Sequence, residues 1–211
     1  MHITSLTEYD KRRRKVILDD GAAVFLLYQG ECRTYRLMEG GELSEETYEA
    51  ILQDVLLPRA KKRLLYALKN GDKTRQQLTR KLRDSFYPEP VIQEALSFLE
   101  NLHLVDDSRY AEQYVNAMRG KCSRRELSAK LYAKGIGREE IVEQMEQLSG
   151  EDEYAACQKA LEKRCGGKHG GAARLKDAAE RRRTYAYLAR KGYSFDTIEH
   201  AFRVLEENEE G

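Results

Sequence analysis

One helical pattern recurs along this chain, and that recurrence limits the folds open to it more than any other feature. The stretch "TRQQLTRKLRDSFYPEPVI" begins at Thr74, and "SRRELSAKLYAKGIGREEI" begins at Ser123, 49 residues on. In each, a hydroxyl residue leads an Arg, a Leu and a Lys-Leu pair, with an Ile further along. A more diverged third copy, "TYAYLARKGYSFDTI", aligns with "LSAKLYAKGIGREEI" at a spacing of 57, setting Leu188 on Leu131, Lys191-Gly192 on Lys134-Gly135 and Ile198 on Ile141. The helix before it repeats as well, "DDSRYAEQYV" at Asp106 resembling "EDEYAACQKA" at Glu151. Helix-period apolar positions fill each copy: Leu64, Leu65 and Leu68, then Leu78 and Leu82, then Ile92, Leu96 and Leu99 in the first. Each unit therefore reads as three short helices, A, B and C.

Start signals agree with that division. Thr74 with Gln77, and Ser123 with Glu126, each suit a capping box, in which the hydroxyl and the residue three positions on satisfy each other's exposed amides. Pro88 and Pro90 suit the first turn of the following helix. In the third copy the extra length falls around "CGGKHGG" (Cys165–Gly171), read as a flexible insertion between helices A and B.

Residues 1 to about 43 differ. Strands are predicted near 3–8, 13–19, 22–28 and 32–37, with a hairpin turn at Asp20-Gly21 and a helix opening at Ser44. The predicted fold is mainly α: three tandem three-helix repeats forming an elongated curved array, with a small N-terminal β-rich cap. The boundaries are 1–57 for the hairpin-rich extension and linking helix, then 58–104, 105–150 and 151–211 for the repeats. Units this small bury too little apolar surface to be robust alone, so stacking is expected to give them one continuous core. Such an array suits an elongated partner.

Charge supplies the functional clue. Charged residues are 35% of the 211, yet the formal net charge is only +1. The signs alternate in blocks: basic from Arg59 to Arg83, acidic from Phe86 to Leu102, basic from Arg119 to Arg138, acidic from Glu139 to Glu153, mainly basic from Arg174 to Lys191 and mainly acidic from Asp196 to Glu210. Three blocks in phase suit a positive surface facing a polyanion, with acidic helices turned away. The candidate binding residues lie on the B helices: Arg75, Arg80, Lys81 and Arg83; then Arg124, Arg125, Lys130 and Lys134; then Arg181, Arg182, Arg190 and Lys191. Contacts of that kind with phosphate are sequence-independent and salt-sensitive. The run "KRRRK" at Lys11–Lys15 serves as well to block edge-to-edge aggregation as to touch phosphate.

Other chemistry finds little support. "CGGKHGG" lacks the strand and the Lys-Ser/Thr ending of a phosphate loop. Cys165 and His169 make half a zinc site at most. Asp106-Asp107 is explained by a helix start. No catalytic residue, metal or cofactor is expected. Tyr110, Tyr114 and Tyr154 are spaced for packing between helices more than for base stacking. Four scattered cysteines read as free thiols. No apolar run approaches the length of a membrane span, so a cytoplasmic location is expected.

"TRQQLTRKL", "DDSRYAEQYVNAMR" and "SRRELSAKLYAKGI" together resemble the bacterial RecX family, whose members have tandem three-helix repeats, and the resemblance spans about 58–207. It implies a non-enzymatic modulator, expected as a monomer, that binds filaments of the RecA recombinase on DNA. Such a protein inhibits ATP hydrolysis, strand exchange and cleavage of the LexA repressor, and binds single-stranded or duplex DNA more weakly. Reversal of Arg124, Arg125 and Lys130 to Glu is expected to abolish inhibition without unfolding the chain. Two departures stand out. "RDSFYPEP" replaces a Lys-Gly helix end, so the first repeat should end helix B differently, and Thr184 stands where Leu127 is expected. A stand-alone DNA-binding protein is the first alternative, though the acidic C helices suit groove reading poorly; a scaffold for another protein is the second.

Overall fold

The computed structural model describes residues 1–166 and 171–210. It divides into two compact units, Met1–Asp106 and Asp107–Gly211. The insertion expected around "CGGKHGG" falls at 167–170, outside the described residues, as does the His169 half of the possible metal pair.

The first unit opens with a three-stranded antiparallel meander in the order β1 (Ile3–Glu8), β2 (Arg13–Leu18), β3 (Ala23–Tyr28). Asp10 ties the first hairpin: its carboxylate accepts from the Arg12 and Arg13 amides at 2.9 and 2.8 Å and pairs with the Arg13 guanidinium at 2.6 Å. These bonds, the Arg13 side chain's first, lower its carboxyl pKa to about 2. The second hairpin turns through Asp19 and Asp20, both at positive φ, and Gly21. The strand expected near 32–37 does not form. Gln29–Thr34 is instead a short helix, α1, because the Glu31 carboxylate accepts the Tyr28 amide at 2.8 Å and satisfies the helix start. That turn buries Cys32.

Helix α2 (Glu45–Ala50) is capped by Ser44, whose hydroxyl accepts from the Thr47 amide at 3.1 Å. It continues as a π-helical stretch, Ile51–Leu56, into α3 (Leu57–Leu68). The widened turn has a cause: Pro58 has no amide to offer the Asp54 carbonyl, and its ring crowds that carbonyl. α4 (Arg75–Arg83) and α5 (Glu89–Asn101) complete the first triplet. One core serves the whole unit, joining Val16, Leu18 and Phe25 of the sheet to Leu64 of α3, Leu82 of α4 and Leu96 of α5.

The second unit contains α6 (Asp107–Met118), α7 (Arg124–Ala133) and α8 (Arg138–Glu146), then α9 (Gly150–Cys165), α10 (Gly171–Leu175), α11 (Ala178–Arg190) and α12 (Phe195–Glu210). The tandem triplets of the sequence are thus helices throughout. The expectation of one continuous core is corrected here. Val115, Leu127, Leu131 and Ile141 form one cluster, while Leu161, Leu188, Ile198 and Phe202 form another. Tyr110 and Tyr114 pack against the former, their rings 6.2 Å apart and near parallel. The four cysteines are free and buried, and burial pushes the Cys157 thiol up to about 12.

Helix ends show how far the repetition reaches. α7 and α11 end through Gly135 and Gly192 in left-handed conformation, with Ile136 and Tyr193 amides returning to the Leu131 and Leu188 carbonyls. The first repeat was expected to end differently, and its backbone does not. Phe86 takes the glycine position at φ 60, and the Tyr87 amide returns to the Leu82 carbonyl at 3.2 Å. The same closure is made with an ordinary side chain in a region that disfavours one.

Candidate functional site

The first two B helices start from buried hydroxyls, whereas α11 starts from the exposed Asp177, whose carboxylate accepts the Ala179 amide at 3.1 Å. Thr74 forms the complete capping box with Gln77, each side chain meeting the other's amide at 3.2 Å. At Ser123 the hydroxyl accepts the Glu126 amide at 3.1 Å, but the Glu126 carboxylate turns to Lys130 at 2.7 Å and to Lys191 at 3.8 Å. The hydrogen bond that Lys130 donates to Glu126 is the main reason the Lys130 pKa is raised. Ser123 also donates to the Lys191 carbonyl at 2.5 Å. One hydroxyl therefore joins the start of α7 to the end of α11, and the positive end of one helix dipole meets the negative end of another. Gly192 lies against this joint: a Cβ there would stand 2.7 Å from Arg125 Cβ and 2.9 Å from Ser123 Oγ.

The twelve candidate cations separate into two groups. Arg75, Arg124 and Arg181 hold equivalent positions in the three repeats, and all three reach inward. Arg75 pairs with Glu100 and hydrogen-bonds Gln93 at 2.5 Å; Arg181 pairs with Glu206 at 2.5 Å and Glu199 at 3.5 Å. The partners lie 25 and 18 residues downstream in both repeats, so this is one clamp from helix B to helix C, used twice. In the middle repeat Arg124 turns to the Leu148 carbonyl at 2.5 Å and to Glu153 of α9 at 3.6 Å. Lys130 and Lys191 share Glu126, and Lys134 lies over the Tyr114 ring at 4.9 Å. Arg83 pairs with Glu89 at 2.9 Å.

The expected separation of charge, basic helices outward and acidic helices away, is corrected by these pairs. Carboxylates of α5 and α12 face cations of their own B helices and neutralise part of them. Exposed cations remain. Arg80 meets Asp84 only at 3.8 Å and in full view of solvent, where such a pair contributes little. Lys81, Arg125, Arg182 and Arg190 are also exposed. These five are the candidate cations left exposed without a close ion pair. Sequence reasoning grouped them with the clamp residues because both kinds are Arg or Lys in a helix. The equal 18- and 25-residue offsets to an acceptor were the available signal.

Thr184, which replaces the leucine of the other repeats, is fully buried, and its hydroxyl has no hydrogen-bond partner among the described residues. An unpaired buried hydroxyl destabilises by about 1–3 kcal/mol. Thr184→Val is therefore expected to stabilise the protein by about 1 kcal/mol, read as a higher urea midpoint with an unchanged slope. A lower midpoint would mean that the hydroxyl is paired in solution.

Among the described residues no group of three or more His, Cys, Asp or Glu side chains is arranged to hold a metal ion, and no helix is long and apolar enough to cross a membrane. Fold and site together define a helical-repeat protein whose candidate functional residues lie on a surface. Models of the RecX second and third three-helix domains match residues 106–143 and 151–202. A regulatory protein RecX of Clostridioides difficile is 28% identical over 213 residues, covering 97% of this chain and 96% of that protein. One of Chromobacterium violaceum is 31% identical over 139 residues, covering 65% of this chain and 85% of that protein. A crystal structure of a regulatory protein RecX superposes with a TM-score of 0.62 at 25% identity, over 94% of this chain and 97% of that one. This chain belongs to the RecX family.

Proposed function

We propose that this chain is a non-enzymatic cytoplasmic regulator that binds RecA–DNA filaments and inhibits their ATP hydrolysis, strand exchange and promotion of LexA cleavage. Membership in a family whose curated relatives are named regulatory proteins supports a regulatory role. The observation that carries the filament reading is the set of exposed B-helix cations, Arg80 and Lys81 on one repeat, Arg125 on the next, Arg182 and Arg190 on the last. Each contact is weak in water, but contacts repeated on linked units act as a multivalent set. In the proposed division into repeats 58–104, 105–150 and 151–211, each repeat offers its own B helix to the filament and to the DNA beside it.

The test adds the protein to RecA assembled on single-stranded DNA with ATP and follows ATP hydrolysis. A fall at substoichiometric protein is expected, and its loss in the Arg125→Glu/Arg182→Glu/Arg190→Glu variant. Unchanged hydrolysis with an excess of folded protein would refute filament binding, and specific shifts of duplex DNA without RecA would favour the stand-alone DNA-binding alternative.

A further inference from the structure

A second cationic surface lies in the first unit and is lined by none of the B-helix candidates. Between the sheet and the first triplet is a cavity of about 110 Å³ walled by Arg13, Arg59 and Arg63 with Tyr28, Phe86 and Tyr87. Arg59, Arg63 and Tyr87 also border a shallow groove of about 570 Å³ that continues along α3 past Lys62, Tyr66 and Lys69. Among the described residues no aspartate or glutamate lines either space, although Glu31 and Asp10 pair with Arg59 and Arg13 at their edge and leave Lys62, Arg63 and Lys69 as the unneutralised cations. In a chain where more than a third of residues are charged and the signs nearly balance, that exclusion is the unusual feature.

The sequence builds this face by helical spacing. Leu57, Ala60, Leu64 and Ala67 point α3 into the core. Arg59, the adjacent Lys62 and Arg63, Tyr66 and the C-cap Lys69 follow at steps of about one turn on the other side, a line about 15 Å long. Some of that charge is held in place from behind. Arg59 pairs with Glu31 and lies 4.6 Å over the Tyr28 ring, and Arg13 is held by Asp10. Burial raises the Tyr87 pKa against the lowering pull of Arg63, Arg59 and Arg13. Tyr66 is 66% exposed and Leu65 40%, so apolar surface lies open between the cations.

We propose that this groove binds single-stranded nucleic acid, its cations meeting consecutive phosphates and the Tyr66 ring stacking on an unpaired base. Open aromatic rings within a cationic track suit a strand whose bases are free, whereas a duplex keeps its bases stacked. The proposal stands apart from the filament reading, because it needs no recombinase and uses none of the B-helix cations.

The experiment titrates the full chain into a fluorescein-labelled oligothymidylate of about 20 nucleotides, without RecA, and reads anisotropy at several salt concentrations. Lys62→Glu/Arg63→Glu is expected to weaken binding about 100-fold and, if two phosphate contacts are lost, to lower the log–log salt slope by roughly 1.4. Tyr66→Ala is expected to weaken binding about tenfold and leave the slope unchanged. Binding within twofold of the unsubstituted chain for both variants would overturn the site. So would equal competition by polyglutamate together with no effect of Tyr66→Ala, which would assign the groove to an acidic protein. Loss of oligonucleotide binding with intact ATPase inhibition would confirm the groove and leave the filament contacts on the B helices.

Discussion

Gly192→Ala is expected to destabilise the Asp107–Gly211 unit by about 3 kcal/mol, a large effect for one methyl group. Two costs add. A residue with a Cβ at φ 94 pays about 1–2 kcal/mol for the left-handed conformation. The new Cβ would also stand 2.7 Å from Arg125 Cβ and 2.9 Å from the Ser123 hydroxyl, and forcing that joint apart costs about 1–3 kcal/mol more. The Ser123 hydroxyl is the shared bond between α7 and α11, so both helices lose protection. Hydrogen exchange read by mass spectrometry should show faster exchange in peptides around 120–135 and 178–195, with residues 1–106 unchanged. Gly71→Ala is the control. Its φ is 99 but nothing lies within 4 Å of where its Cβ would stand, so only the backbone cost of about 1–2 kcal/mol applies. Equal losses from the two variants would mean that the joint does not form in solution.

Arg124→Glu and Arg125→Glu are expected to part company although the residues are adjacent and the charge change is the same. Arg124 serves the Leu148 carbonyl and Glu153, and a carboxylate in its place would face an acceptor and another carboxylate. Because the pair is partly solvated, the expected loss is about 2 kcal/mol, below that of a fully buried pair. Arg125 is exposed, and its reversal should leave the urea midpoint within about 0.5 kcal/mol while weakening filament inhibition. Equal stability losses, or inhibition lost only with Arg124→Glu, would exchange the roles assigned to the two residues. A combined reversal of Arg124, Arg125 and Lys130 mixes these effects, since Arg124 and Lys130 both have partners inside the unit. Such a variant is therefore expected to lose stability as well as inhibition.

Period and local chemistry made much of the fold legible in advance. Leucines at helical intervals define the B and C helices, Ser44, Thr74 and Ser123 open helices, and the first three strands lie where β-branched residues alternate around turn residues. These are decisions among neighbours along the chain, and the residues that make them are the residues they govern. The strand expected near 32–37 failed for a local reason also present in the sequence, the Glu31 carboxylate capping the Tyr28 amide.

Other outcomes depended on residues far apart. The sequence contains three equivalent arginines, but whether an arginine faces solvent or a carboxylate 25 residues away depends on how helix C packs across helix B. Phe86 shows the same dependence in the backbone. Its type disfavours a left-handed helix end, yet the packing of the first repeat against the sheet, with Tyr9 in edge contact at 5.7 Å and Lys15 over its ring at 4.6 Å, holds it there. The sequence by itself determined that this is a chain of repeated three-helix units with cations on the B helices. Only the tertiary structure decided which cations are clamps and which stay exposed to solvent, because charge is a property of a residue but exposure is a property of everything packed around it.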